Sequence, residues 1–148
     1  MLHTDSTKDL TADATGARKY IAGCHLTHFN MSDNRLDSFP YYALHKMEMV
    51  KKIDLGRNRI TSILDDAERN LLSTDHTMRR FKKMPLAVFK VLTTLDLSSN
   101  LLTVFPEELN CLDMLKELNL MNNKIETIPS SFYTSKGPME KLKRLILS

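Results

Sequence analysis

Three residues near the start of the chain are of types that bind metal ions, namely Cys24, His25 and His28. A structural zinc site needs four ligands at set spacings, and no fourth ligand or paired-cysteine motif accompanies these three. His28 is also expected to point outward from a strand, away from Cys24. We therefore expect no metal site and no bound cofactor.

The second cysteine, Cys111, is the remaining candidate nucleophile. No histidine lies near it in sequence to activate its thiol. The sequence also lacks a glycine-rich phosphate loop, a Gly-x-Ser-x-Gly turn and a His-Glu-x-x-His helix, which carry phosphoryl-transfer and hydrolytic chemistry. These observations predict that the protein is not an enzyme.

A short basic cluster could bind a charged ligand. It consists of Arg79, Arg80, Lys82 and Lys83, with Phe81 between the two pairs. The chain has 21 basic and 18 acidic residues for a net charge of +3, so without this cluster the net charge would be −1. A local excess of this kind makes general nucleic-acid binding an unfavourable interpretation. A nuclear-localisation patch, an anionic membrane contact, a phosphate contact and a solvated loop all remain open for the cluster.

Length and composition are those of one folded domain. The chain has 148 residues, of which 42% are hydrophobic and 26% are charged, as in ordinary globular proteins. Charges interrupt every apolar run, so no transmembrane segment is expected, and the first residues do not resemble a signal peptide. With only two cysteines, the chain is expected in a reducing, cytoplasmic compartment.

An internal repeat, Leu-x-x-Leu-x-Leu-x-x-Asn-x-Leu-x-x-Phe-Pro, supplies the elements that position these side chains. Its asparagine recurs at four positions, Asn34, Asn58, Asn100 and Asn123. The intervals are 24, 42 and 23 residues, and the longest equals one 23-residue repeat plus an insertion of 19. We place this insertion at residues 64–83. A fifth copy begins at Leu142, and the given sequence ends at Ser148 in the middle of it.

Each repeat predicts a short strand followed by a turn. Leu95 and Leu97 should point into the core, whereas Thr94, Asp96 and Ser98 should point outward, because successive side chains of a strand alternate. Stacked copies would then form a parallel sheet with one face on the core. The asparagines should form a buried ladder that bonds the backbone at each bend. A proline should begin the segment on the opposite side in three repeats, at Pro40, Pro106 and Pro129.

This pattern resembles the leucine-rich repeat family over residues 26–148. The 23-residue period, with Phe-Pro or Ile-Pro after the strand, is similar to the intracellular subclass found in Ras-suppressor-type proteins and Ras-pathway scaffolds. The resemblance implies an α/β solenoid of about 4.5 repeats, with a concave parallel sheet and an irregular or helical convex side.

The ends of the chain are expected to differ from the repeats. Residues 1–12 are polar and predict a disordered tail, and residues 13–25 predict an N-terminal cap on the first repeat. The incomplete last repeat predicts either a fragment of a longer array or an edge that a partner covers.

Outward-facing residues of the predicted strands and the turns after them form the candidate partner-binding surface. They share a position on the concave face: His28, Asn30, Lys52, Asp54, Arg57, Thr94, Asp96, Glu117, Asn119, Met121 and Arg144. Arg57 and Arg144 are of the residue type that dominates many interfaces. The Asp and Asn positions either contact a partner or are solvated and serve strand geometry.

The functional hypothesis is a non-enzymatic intracellular protein-interaction module that acts as a signalling scaffold or regulator. The resemblance implies small GTPases or phosphatases as candidate partners, and no residue selects between them. Two alternatives remain, an anionic-surface binder acting through the basic cluster and a truncated piece of a larger leucine-rich repeat protein.

Overall fold

The computed structural model describes residues 25–44, 46–64, 85–133 and 139–148. The predicted tail at 1–12 lies outside these residues, as does the predicted cap apart from residue 25. The predicted insertion at 64–83 also lies outside them, apart from its first residue. The fold is described for the remaining, repeat-bearing part of the chain.

A single parallel sheet carries the repeats. Its five strands follow one another in chain order: β1 (His28–Asn30), β2 (Lys52–Asp54), β3 (Thr94–Asp96), β4 (Glu117–Asn119) and β5 (Arg144–Ile146). The middle residue of each strand points into the core, so Ile53, Leu95 and Leu118 are each 1% exposed. One strand of three residues per repeat confirms the predicted stacking.

Prolines begin the segments on the side opposite the sheet, as predicted. Helix α1 (Tyr41–Leu44) and the 3₁₀ helices Glu107–Cys111 and Ser130–Tyr133 each follow a proline directly. The proline carbonyl closes the first turn in each case, accepting from the amides of Leu44 (3.2 Å), Leu109 (3.1 Å) and Phe132 (3.0 Å). Proline suits this place because the first residues of a helix have no carbonyl partner for their amides. A further 3₁₀ helix, Pro85–Val88, starts on a proline itself.

The core fills the space between the sheet and these short helices. The aliphatic positions of the repeat are buried, and aromatic rings close the gaps between repeats. Phe39 packs edge-on against Phe89 with centroids 6.4 Å apart, and Phe105 packs likewise against Phe132 at 5.2 Å. Such edge-to-face pairs are favoured over stacked ones. Each repeat is therefore held by contacts with its neighbours, as in a solenoid.

The asparagine ladder joins successive repeats. Asn100 Nδ2 donates to Leu97 O in its own repeat and to Leu55 O in the repeat before it, both at 3.0 Å. Its Oδ1 accepts from the Ile60 amide at 2.9 Å. Asn58 makes the same bonds one repeat earlier, where its Nδ2 donates to the carbonyl of Met31. The ladder satisfies backbone groups that the bend would otherwise leave unpaired.

The predicted burial of all four asparagines is correct only in the middle of the ladder. Asn58 is 7% exposed and Asn100 is 3% exposed, but Asn34 and Asn123 are half-buried. Asn34 bonds only within its own repeat, to the carbonyls of Met31 and Ser32, because no described repeat precedes it. After Asn123, the described residues contain no further asparagine of the ladder that could cover it.

Within the described residues, no helix is long and apolar enough to cross a membrane.

Candidate functional site

Parallel pairing places the outward strand residues in two straight rows. The first row is His28, Lys52, Thr94, Glu117 and Arg144, and the second is Asn30, Asp54, Asp96, Asn119 and Ile146. Neighbours within a row are about 4.8 Å apart, the spacing of hydrogen-bonded strands. We call these two rows together the strand face. Nine of the eleven predicted partner-binding residues lie in them, and Arg57 and Met121 lie in the turns that follow.

The two rows differ in exposure. The first row is exposed except for half-buried Thr94, whereas the second is half-buried except for exposed Asn30. The residues in the turns after the strands also differ in solvent exposure. Met121 is 39% exposed, but Ser98, which was expected to point outward, is 8% exposed. The hydroxyl of Ser98 does lie on the outward side, since it donates to Asp96 Oδ1 at 2.6 Å, but the residue is buried by the packing around it.

The four Asp and Asn residues of the second row cap the ends of their strands. In each case the side-chain oxygen accepts from the amide two residues later: Ser32 N to Asn30 (2.9 Å), Gly56 N to Asp54 (2.9 Å), Ser98 N to Asp96 (2.8 Å) and Met121 N to Asn119 (3.1 Å). This is the geometry of an Asx turn. We call the four residues the Asx row. Their side chains are oriented by the protein itself before any partner binds.

Sequence reasoning missed this structural role, since it considered partner contact or solvation and only named strand geometry in general. The available signal was an Asp or Asn two residues before each turn, in four copies. Asp and Asn are the residues whose side chains bond their own backbone at that spacing.

The centre of the strand face is closely packed with oxygen atoms. A Cβ on Gly56 would lie 3.1 Å from Ser98 Oγ, 3.3 Å from Asp54 Oδ1 and 3.4 Å from Asp96 Oδ1. Asp96 is further held by Asn119 Nδ2, which donates to its Oδ2 at 2.9 Å. Asp54 Oδ2, in contrast, has no hydrogen-bond partner among the described residues. The two carboxylates thus differ in how much of their bonding capacity is free.

A third line of residues follows the strands in the left-handed backbone region. Asp33, Arg57, Ser99 and Asn122 have φ values of 58°, 54°, 52° and 55°. Arg57 donates to Asp33 of the preceding repeat through two of its three guanidinium nitrogens, Nε to Oδ1 at 2.5 Å and Nη2 to Oδ2 at 2.6 Å. The bonds lower the pKa of Asp33 and raise that of Arg57. Arg57, predicted as a partner contact, is therefore already paired within the protein.

A shallow groove of about 240 Å³ crosses β3, β4 and β5 on the strand face. Its polar lining comes from both rows: Thr94, Asp96, Glu117, Asn119 and Arg144. Leu95, Leu118 and Ile146 add the apolar part. Arg144 is exposed and forms no salt bridge with any described residue.

The thiol of Cys111 lies at the end of a 3₁₀ helix on the side opposite the strand face. Burial raises its pKa to about 11, and its Sγ lies 3.0 Å from the Glu108 carbonyl. A thiol with this pKa is protonated at neutral pH and is a poor nucleophile. In the part of the chain that the structure describes, no three His, Cys, Asp or Glu side chains are grouped so as to hold a metal ion.

The basic cluster of Arg79, Arg80, Lys82 and Lys83 lies outside the described residues. Their role as an anionic-surface contact stays a prediction.

Comparison with known proteins bears on the repeat. The leucine-rich repeat family model matches residues 91–112 and 114–135, the repeats of β3 and β4. Relatives include adenylate cyclase of Schizosaccharomyces pombe (32% identical over 126 residues), podocan-like protein 1 of Homo sapiens (30% over 115) and leucine-rich repeat serine/threonine-protein kinase 1 of Mus musculus (27% over 160). These alignments cover 82%, 76% and 99% of this chain. The chain spans only 7%, 18% and 8% of the relatives.

Among solved structures, a leucine-rich repeat protein of Leptospira interrogans aligns at 24% identity with a TM-score of 0.45, over 76% of this chain and 29% of that one. The matched repeats and the relatives support membership of a leucine-rich repeat family. The described residues, with one strand per repeat in a parallel sheet, have the fold of a leucine-rich repeat solenoid. The enzymatic names belong to proteins of which the chain matches less than a tenth.

Proposed function

From the leucine-rich repeats of this chain, we propose that it is a non-enzymatic protein-interaction module that binds a protein partner on the strand face. The observation that carries the proposal is the Asx row, which holds four polar side chains in fixed orientations across four strands. Leucine-rich repeats are interaction modules, and polar groups fixed in advance suit the recognition of a partner.

Preorganisation supports binding on energetic grounds. A partner that meets free side chains must order them, at about 0.5–1.5 kcal/mol for each rotamer-rich group. The side chains of Asp96 and Asn119 are already bonded to each other and to the backbone. Little ordering is left for the partner to induce in them, so more of the contact energy is retained as affinity.

We further assign the repeats to the 23-residue intracellular subclass and the module to a cytoplasmic signalling scaffold or regulator. The strands β3 and β4 start 23 residues apart, at Thr94 and Glu117, which supports the subclass. Small GTPases and phosphatases are the partner classes that the resemblance to Ras-pathway scaffolds favours. Capture with purified members of each class tests this assignment.

A pair of matched substitutions tests where the partner binds. Thr94 lies at the centre of the first row, and Thr103 is exposed in a loop outside both rows. Thr94→Trp places a large side chain on the strand face, whereas Thr103→Trp adds the same side chain elsewhere. We expect Thr94→Trp to lose partners that the unmodified chain captures from cell extract and Thr103→Trp to keep them. Capture that persists with Thr94→Trp would contradict the proposal.

A further inference from the structure

Five basic residues line the edge of the sheet where the strands begin. This basic edge consists of Lys51, Lys52, Lys116, Lys143 and Arg144, all exposed. The backbone places Lys51, Lys116 and Lys143 in one line across the strands, since the Lys143 amide donates to Lys116 O at 2.8 Å and the Lys116 amide donates to Thr93 O at 2.8 Å. Lys52 and Arg144 follow one residue later, in the first row. The Thr93 amide in turn donates to Lys51 O at 2.8 Å. Positive charge therefore lies at the starts of β2, β4 and β5, whereas β1 and β3 carry Thr27 and Thr93 at this position. Glu117 is the one acidic residue in the first row beside this edge.

Acidic residues also occur in the loops behind this edge. Glu48, Asp113 and Glu140 each stand four residues before a strand and are exposed. No salt bridge joins them to the basic edge among the described residues. The lysine and arginine head groups are thus not neutralised by close pairing within the described part of the protein.

A line of negative charge runs parallel to the basic edge. Asp54 and Asp96 are neighbours in the Asx row. Along its strand, Asp54 follows Lys52 of the first row by two residues and Lys51 by three. At about 3.3 Å per residue the two lines are about 7–10 Å apart. Arg57 is the basic group near these carboxylates, but its guanidinium is bonded to Asp33. The sheet thus carries an interrupted basic line on β2, β4 and β5 and, parallel to it, a short acidic line on β2 and β3.

The separation of the two lines selects the shape of an occupant. An extended peptide presents only alternate side chains to a surface, in a single line. An α-helix with side chains is about 10–12 Å wide and offers two edges to the surface beneath it. Its turns repeat every 5.4 Å, close to the strand spacing of about 4.8 Å. Four strand intervals, about 19 Å, match about 13 helical residues.

We propose that the strand face binds an α-helix whose facing side carries acidic residues along one edge and basic residues along the other. The acidic edge of this helix lies over the basic edge of the sheet, and its basic edge lies over Asp54 and Asp96. The inference rests on the proposed function and deepens it by naming the chemistry of the partner segment. The helix lies across the strands, parallel to the two rows.

Synthetic helices test the charge pattern directly. The probe is a stapled peptide of about 14 residues, with Glu along one edge of its free side and Lys along the other. A second peptide of identical composition intermixes the two charges, and a third replaces each Lys with Gln. Fluorescence anisotropy with the full 148-residue chain should show the segregated peptide binding at least tenfold more tightly than either of the others.

Charge-neutral variants identify the surface involved. Asp54→Asn with Asp96→Asn removes two charges and keeps the oxygen that accepts from the backbone, as Asn30 and Asn119 already do. On the other line, three lysines are replaced by Gln: Lys51, Lys116 and Lys143. Each variant should weaken binding of the segregated peptide. A matched control with the same charge change as the lysine variant, away from the strand face, should not: Arg35→Gln, Arg59→Gln and Lys124→Gln.

Three results would overturn the helix inference: equal affinity for the segregated and intermixed peptides, full affinity for the peptide without Lys, or no binding of any peptide. Equal loss in the Arg35, Arg59 and Lys124 control would overturn it as well. If Thr94→Trp still abolishes partner capture in any of these cases, the strand face remains an interaction surface with another occupant. If Thr94→Trp leaves capture intact, the proposed function fails too.

Discussion

Asn100 shows how a single residue links two repeats. Its side chain bonds Leu97 and Leu55 through Nδ2 and the Ile60 amide through Oδ1, and it is 3% exposed. A buried amide that loses its acceptor costs about 1–3 kcal/mol of unfolding free energy. The residue type could be assigned from sequence because it recurs at one place in every repeat. Its partners required the register of the strands.

Replacing Asn100 should therefore destabilise the fold more than replacing Asn34. Asn100→Ala leaves the Ile60 amide without its acceptor, and we expect a loss of about 2 kcal/mol in unfolding free energy. Asn34→Ala removes bonds to carbonyls of its own repeat at a half-buried position, so its loss should be smaller. Urea denaturation measures both. Equal losses would contradict the ladder as a link between repeats.

The pair formed by Arg57 and Asp33 should respond to pH in a defined direction. The hydrogen bonds from Arg57 lower the pKa of the Asp33 carboxyl below its usual 3.8. A carboxyl with a lowered pKa in the folded state stabilises the fold above its unfolded pKa, and this contribution is lost as pH falls through the folded pKa. Both side chains are exposed, at 63% and 60%, so solvent screening keeps the effect small.

NMR titration of the Asp33 carboxyl carbon tests this pair. In Arg57→Gln the pKa of Asp33 should rise back toward 3.8, and added salt should raise it in the unmodified protein. Asp37 provides a reference carboxyl outside the pair. A pKa of Asp33 that does not change on substitution would show that the ion pair does not form in solution.

At the scale of an element, each strand from β1 to β4 ends at a side-chain oxygen that accepts from the backbone amide two residues later. The strands, the inward leucines and the prolines before the short helices follow from a periodic pattern, and the structure confirms them. The burial of Ser98 and the Asx row do not follow from alternation. They arise because the chain turns immediately after the third strand residue, where side-chain oxygens accept from the backbone. The bond from Arg57 to Asp33 joins residues 24 positions apart and needs the stacking of repeats.

Substitutions at Asp96 should separate the capping role from the charge. Asp96→Asn keeps Oδ1 as the acceptor for the Ser98 amide, so the unfolding free energy should change little. Asp96→Ala removes the acceptor and should cost about 1 kcal/mol. Thermal or urea unfolding distinguishes the two. Equal destabilisation by Asn and Ala would mean that the charge, not the cap, stabilises this turn. Asp96→Lys would remove the cap as well as the charge, so it does not separate the two.

At the scale of the whole molecule, the solenoid converts a linear repeat into an array of side chains in rows, with neighbours about 4.8 Å apart. This array could be predicted from sequence because each residue of the strand face occupies the same place in its repeat. The opposite charges of the two lines were present in the sequence, but their parallel course depends on the register. The charge pattern of the sheet indicates the chemistry of a partner segment, whereas the identity of the protein that carries this segment depends on the partner's own sequence.

Photo-crosslinking is the measurement that tests the central claim most directly. A benzophenone side chain at Thr94 lies in the middle of the strand face, and one at Thr103 lies outside it. Irradiation in cell extract should attach a protein partner to the chain labelled at Thr94 and not to the chain labelled at Thr103. A helical segment of the partner at the crosslink would also agree with the charge pattern. Crosslinking at Thr103 with none at Thr94 would contradict binding on the strand face.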